Sequence, residues 1–381
     1  MSILNANNAN NANNANNANN ANNANNANAI GNGGPSPLLT AALMRSRDAI
    51  AGAELITPAS GEPSALDMAQ RLRRLAGDDR AAVLTGELLE DLSFEFAPDD
   101  PDQTTTRMVT VLRRAAGGDA RNASYTPLVA ITRPGLDDFR NAVQIVANYA
   151  ELRADRLAEI QTQTQVLVPF FASILPIEPG RSDNILEMLA MAQDMATFVV
   201  MRVKLALGCP RVTQFSDRIQ PMIACPTHAT LPSGHATQAF TLATVLSLLQ
   251  DPGAEVAADS QLYRLACRIA INRTVAGVHF PADSAAGAIL GIQLGRYLAA
   301  RAYAPDADGQ VGSASFDGTE FKDGDRAQDF HYDILNRMLD PDHPQHVPSA
   351  SFPDDASGAR PAPMWRSVCA AALGEWQNRW S

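Results

Sequence analysis

The segment SDNILEMLAMAQDMATFVVMRVKLALG, residues 182–208, constrains this chain more than any other. Its spacing is helical and it is nearly apolar on every side. A helix with so little polar face must be enclosed by others, so the segment predicts the centre of a bundle. The partners are legible on both sides. GLDDFRNAVQIVANYAELRADRLAEIQTQ (135–163) reads as one long amphipathic helix. Helical patterns follow at about 236–250 and 261–273, and a final core helix opens near His279. That helix carries Gly287, Gly291 and Gly295 at four-residue steps, a smooth face for close packing. The same spacing occurs in membrane dimers, but Asp283 and Arg296 bracket a segment too short to span. No uninterrupted apolar run of spanning length is read elsewhere.

Before the central segment, SPLLTAALMRSRDAIAGAEL (36–55) and SALDMAQRLRRLAG (64–77) show apolar steps of three and four after a Ser cap. DDRAAVLTGELLEDL (78–92) repeats the pattern, and APDDPDQTTT (97–106) interrupts it. After it, 303–326 reads as a long polar loop and 362–380 as a closing amphipathic helix. With 46% apolar but only 6% aromatic residues, the interior should be aliphatic. Few Val/Ile/Thr alternations are read, so the expected fold class is all-α, a helical bundle.

Residues 5–28 repeat Asn-Ala-Asn, and a Gly-rich hinge follows. Residues 1–34 are therefore read as a low-complexity tail with nothing to bury. The alternative is an assembly device, since Asn ladders can stack and build a homo-oligomer or scaffold. Residues 35–381 are read as a single α-helical domain. The net charge of −11 argues against nucleic acid or an anionic membrane as partner. Cys209, Cys225, Cys267 and Cys369 lack metal-site spacing and read as reduced, mostly buried thiols. The N-terminus shows no secretory signal, so a soluble cytoplasmic protein is the expectation.

Chemistry concentrates in three places. In LPSGHATQAF (231–240), Ser233 and Gly234 stand at a helix start, where free amides and the helix dipole favour an anion. His235 in the first turn can exchange a proton there. An ordinary Ser cap is the competing reading. In KLALGCPR, Lys204 leaves the last turn of a helix and Arg211 the loop after it, although a C-terminal Lys also simply complements the dipole. In NRTVAGVHFPADSAAG, Arg273 ends one helix and His279 opens the next. Asp283, four residues on, falls on the same face as His279 and can fix its tautomer. Three cations, an anion-binding helix start and two histidines form a coherent inventory for a tetrahedral oxyanion.

The ordered set Lys204-x6-Arg211-Val212, Pro232-Ser233-Gly234-His235 and Asn272-Arg273-x5-His279-x3-Asp283 resembles the type 2 phosphatidic acid phosphatase and vanadium-dependent haloperoxidase superfamily. Val212 replaces a proline of that pattern and Asn272 a serine. The resemblance covers about 165–300, the motif-bearing core. It implies two packed four-helix-bundle-like units and an enzyme acting on a small-molecule substrate. By position, Lys204, Arg211, Ser233, Gly234 and Arg273 would hold oxyanion oxygens. His279 would bond phosphorus or vanadium, making it the metal ligand, Asp283 would orient it, and His235 would be the general acid/base. The superfamily runs two reactions in one pocket: hydrolysis of a phosphate ester through phosphohistidine, and peroxide-dependent halide oxidation with vanadate as cofactor. CPTHATLPSGHATQAFTLATVL is similar to the corresponding run of vanadium-dependent bromoperoxidases, in which the extra histidine, here His228, lies near vanadate. A structural histidine capping the loop is the other reading of His228. The haloperoxidase-like soluble branch is the expectation and an acid phosphatase the alternative.

Overall fold

The computed structural model describes residues 41–42, 45–46, 65–98, 106–117, 121–251, 257–302 and 309–380. The expectations for the 1–34 tail and most of 36–55 lie outside these residues.

The helix Asp183–Leu207 runs through the core, with Ile185, Met188, Leu189, Met195, Val199 and Val203 all buried. Gly208, in the left-handed region at φ 58°, ends it, and the Gly208 amide donates to the Lys204 carbonyl. The segment Asp183–Gln214 is long and apolar enough, by length and composition only, to cross a membrane, although Glu187 and Asp194 interrupt its apolar run. In this fold 61% of its most apolar window is buried within the protein, against other helices and the sheet.

Three further helices complete the bundle, Gly234–Gln250, Gln261–Val275 and Pro281–Arg301; the first and third pack against it, and the second packs on the first. Ser233 and Ser260 cap the first two, accepting from the amides of Ala236 and Tyr263. The third begins at Pro281 rather than His279. Pro is favoured at the first helical position and disfavours helical geometry in the residue before it, so Phe280 caps the helix and His279 precedes it. The glycine stripe sits against the 234–250 helix. A Cβ on Gly287 would lie 2.7 Å from the Ser233 carbonyl oxygen, and one on Gly295 would lie 2.5 Å from the Thr244 Cβ. Only glycine allows this approach.

The fold is helix-rich but not all-α. A five-stranded sheet places Leu92–Pro98, Thr106–Arg114, Tyr125–Thr132, Ala314–Asp317 and Ala350–Ser351 side by side. Neighbours are antiparallel except at Val129↔Ala314, where the third and fourth strands run parallel. The sheet packs its Val109, Val111, Val129 and Ile131 face into the core against the 183–207 and 281–301 helices. The strand pattern is present in the sequence: Leu92, Phe94 and Phe96 alternate with polar or small residues, and Met108–Leu112 is β-branched and apolar.

Other expectations shift too. The 135–163 pattern is broken into Leu136–Asn148, a short 3-10 turn, and Arg153–Gln163. Within 303–326, the described residues form strands instead of a featureless loop. The Met68–Arg74 helix is capped by Asp67, which exchanges bonds with Gln70, rather than by Ser64, which lies outside the described residues. All four cysteines are free, with Cys209 and Cys267 buried and Cys225 exposed. The closing helix, Pro363–Gln377, braces the central one: Glu375 accepts from the Asn184 and Ile185 amides at its N-terminus.

Candidate active site

The 228–230 loop is the hub. Lys204, fully buried, donates from Nζ to the carbonyls of Ala229 (2.9 Å) and Thr230 (2.8 Å). Arg211 donates to the carbonyls of His228, Ala229 and Val278. The same guanidinium meets His228 Nδ1 at 3.0 Å and His279 Nε2 at 3.3 Å. These contacts draw residues from three separate motifs to one point.

His279 is positioned by Asp283 across the start of the 281–301 helix. Its Nδ1 lies 2.9 Å from Asp283 Oδ2, and the same oxygen accepts from the Phe280 amide and from Thr230 Oγ1. An ionised carboxylate only accepts, so His279 carries its proton on Nδ1 and keeps the Nε2 lone pair. Burial, then Arg211 and Lys204, hold the imidazole well below the usual histidine range. Burial pushes Asp283 upward, against the bonds from Thr230 and Phe280. Lys204 is lowered by burial and by Arg211, with Asp283 opposing.

A cavity of about 320 Å³ is lined by His228, Gly234, His235, Arg273 and His279, with Gln165, Ile223 and Val278 among its other walls. Lys204, Arg211, Ser233 and Asp283 stand directly behind that lining. Lys204 Cε would be 3.9 Å from a Cβ on Gly234, and the Ser233 amide donates to the Asp283 carbonyl at 2.8 Å. Arg273 is fully buried and lowered by burial to about 9, so it remains charged at neutral pH. Its Nη2 is bound, but Nε and Nη1 have no partner among the described residues, nor does His228 Nε2. Burial, Arg273 and Lys204 also depress His235 well below its usual range.

All the residues singled out in the sequence therefore converge. Two contributors were missed. Thr230 is a loop hydroxyl with no motif around it, and it donates to the carboxylate that orients His279. Gln163 closes the 153–163 helix and accepts from Arg273 Nη2 at 2.8 Å. No spacing rule flags either one, because each reaches the site only through the folded chain. Asn272, at the position where the resembled pattern has serine, donates to Gln163 and Glu159.

Residues 185–304 match the model of the PAP2 superfamily. No curated protein matches the chain. The PAP2 match spans Lys204 through Asp283 and so contains the whole motif set. It supports an enzyme of phosphoryl or related oxyanion chemistry. Gln163 and the sheet strands fall outside it.

Proposed function

We propose that this chain is a haloperoxidase-like enzyme of the PAP2 superfamily that holds vanadate in the three-histidine cavity. The observation that carries this reading is His228. It lines the same cavity as His235 and His279, rests on Arg211, and presents a buried Nε2 without a partner among the described residues. Phosphoester hydrolysis needs two histidines; the third is the surplus that the reading explains.

The donor set fits a tetrahedral oxyanion. Buried, unpartnered guanidinium nitrogens are costly unless something accepts from them, and Arg273 has two. With Lys204, Arg211, Ser233 and the Gly234 amide, they would hold the anion's oxygens, while His279 Nε2 would bond its central atom. Bound vanadate would supply activation of hydrogen peroxide toward a halide. The chain's own work is to hold charge and protons. Asp283 keeps His279 in one tautomer, and His235 takes or gives the proton. Both imidazoles are neutral in the anion-free protein because burial and nearby cations oppose their charge. An oxyanion offsets those cations, so its binding draws protons onto the site.

A phosphatase is the second reading, favoured by the unprotonated Nε2 of His279, which faces Arg211 Nη1 at 3.3 Å. In that reaction Nε2 attacks phosphorus and the bond to the leaving oxygen breaks. His235 protonates that oxygen, and water then releases phosphate from the phosphohistidine. A side-by-side assay separates the two. Orthovanadate-loaded protein is expected to brominate a phenol dye with peroxide and bromide, and excess phosphate should suppress this. Ready hydrolysis of p-nitrophenyl phosphate, inhibition by vanadate and no bromination would move the assignment to phosphatase.

A further inference from the structure

The last turn of the 153–163 helix lies before the PAP2 match, yet it holds two groups of the site, the oxyanion-binding Arg273 and the proton-transfer residue His235. Arg273 Nη2 donates to the Ile160 carbonyl (3.2 Å) and to Gln163 Oε1 (2.8 Å). His235 Nε2 sits 3.0 Å from the Gln163 carbonyl. Carbonyls in a helix's last turn lack partners within the helix and carry the negative end of its dipole, so they suit a cation and an N–H. A carbonyl cannot donate. His235 must therefore carry its proton on Nε2, leaving the lone pair on Nδ1.

The orientation of the Gln163 side chain is equally determined. Arg273 only donates, and Asn272 Nδ2 also donates to Oε1 at 3.1 Å, while Asn272 Oδ1 is committed to Arg156 Nη1. Reversing the Gln163 amide would set donors against donors. Gln163 is 1% exposed, and its Nε2 has no partner among the described residues. An unsatisfied buried amide works against stability, so packing alone does not explain a glutamine here.

We propose that Gln163 is a positioning residue of this site. Its side chain fixes Arg273 so that Nε and Nη1 face the anion, and its carbonyl fixes His235 so that Nδ1 exchanges the proton. The inference rests on the oxyanion reading above. The test pairs Gln163→Leu with Gln163→Glu in the full chain, measuring melting temperature and orthovanadate affinity by calorimetry. Leucine removes the acceptor, and affinity should fall at least about tenfold. Glutamate restores an acceptor for Arg273 and Asn272, so melting should stay near wild type. Its charge neutralises Arg273, so affinity should still fall at least about tenfold. Wild-type affinity in both variants overturns the proposal. So does a Gln163→Glu variant that recovers affinity along with stability, the pattern of a purely structural residue. A second arm records histidine 15N shifts of the wild-type protein, with His235→Gln for assignment. Protonation of His235 on Nε2 is expected, and protonation on Nδ1 overturns the positioning of that ring. If the wild type binds neither orthovanadate nor phosphate, the oxyanion reading fails, while the 15N result still decides the tautomer.

Discussion

The Ser233 amide donates to the Asp283 carbonyl at 2.8 Å, so the residue that orients His279 through its side chain also pins, through its backbone, the start of the helix bearing Gly234 and His235. The two halves of the candidate site are thus one mechanical unit. Close packing of the 234–250 and 281–301 helices is its physical basis.

Gly287 packs directly on the start of the 234–250 helix in that unit. A Cβ there would meet the Ser233 carbonyl at 2.7 Å and the Ala236 Cβ at 2.8 Å, both part of the first turn of the 234–250 helix or its cap. Gly287→Ala should cost about 1–3 kcal/mol as overpacking. It should also weaken orthovanadate binding, because the helix start must move away from Asp283. Thermal melts and calorimetry check this. Wild-type values for both would mean the helices separate freely and the pinning is inconsequential.

Asp283→Asn keeps the shape but replaces an acceptor with an amide that presents N–H groups. His279 then loses the force that places its proton on Nδ1, and kcat should fall on the order of 10²–10⁴-fold, the scale of proton-positioning effects. Thr230→Val removes one of the donors to the same carboxylate and should have a smaller effect in the same direction. Steady-state kinetics of both variants decide the order. A Thr230→Val loss exceeding that of Asp283→Asn would show that the hydroxyl acts on the reacting atoms themselves.

What was legible in the sequence follows from the range over which each signal acts. The 183–207 helix declares itself because burial along most of its length leaves an apolar pattern with little polar stripe, although Ala190, Arg202 and Leu205 are exposed. Lys204, Arg211, His235 and Arg273 declare themselves because charged groups and histidines flanking helix ends are local features. The sheet was not read, although Leu92, Phe94 and Phe96 alternate, because the aliphatic composition is dominated by the central helices. A parallel pair such as Val129↔Ala314 joins segments far apart in the chain, which no window of residues can reveal. Thr230 and Gln163 were missed for the same reason. A hydroxyl and an amide are common everywhere, and only folding says what they touch.

Arg273 gives a prediction about charge against geometry. Arg273→Lys keeps a cation but cannot present two further N–H groups while holding Gln163 and Ile160. Orthovanadate affinity should fall about 10–100-fold for lysine and further for Arg273→Ala, where a cation and its donors are both lost. Competition by phosphate in the bromination assay provides the same comparison. Equal affinity in the lysine variant would mean that net charge, not the direction of the guanidinium nitrogens, holds the anion.

His228 links the site to pH. Burial lowers its pKa from about 6.5 to about 4, with Lys204 and Arg211 adding to the effect and the Ala229 carbonyl opposing it. As pH falls below about 6.5, the unfolded chain protonates this ring while the folded protein does not, so acid favours unfolding. The stability His228 contributes is therefore present above pH 6.5 and is lost as the pH falls from 6.5 towards 4. His235 and His279, also depressed, act in the same sense, while the raised Asp283 acts in the opposite one. Comparing wild type with His228→Gln cancels those shared terms. Melting temperatures between pH 7 and pH 4.5 should decline less steeply in the variant, and the two curves should converge towards the acid end. Parallel curves would mean that His228 is as free to protonate in the folded protein as in the unfolded chain. Its ring would then be solvated rather than held against Arg211, and the surplus histidine on which the haloperoxidase reading rests would lose its place in the cavity.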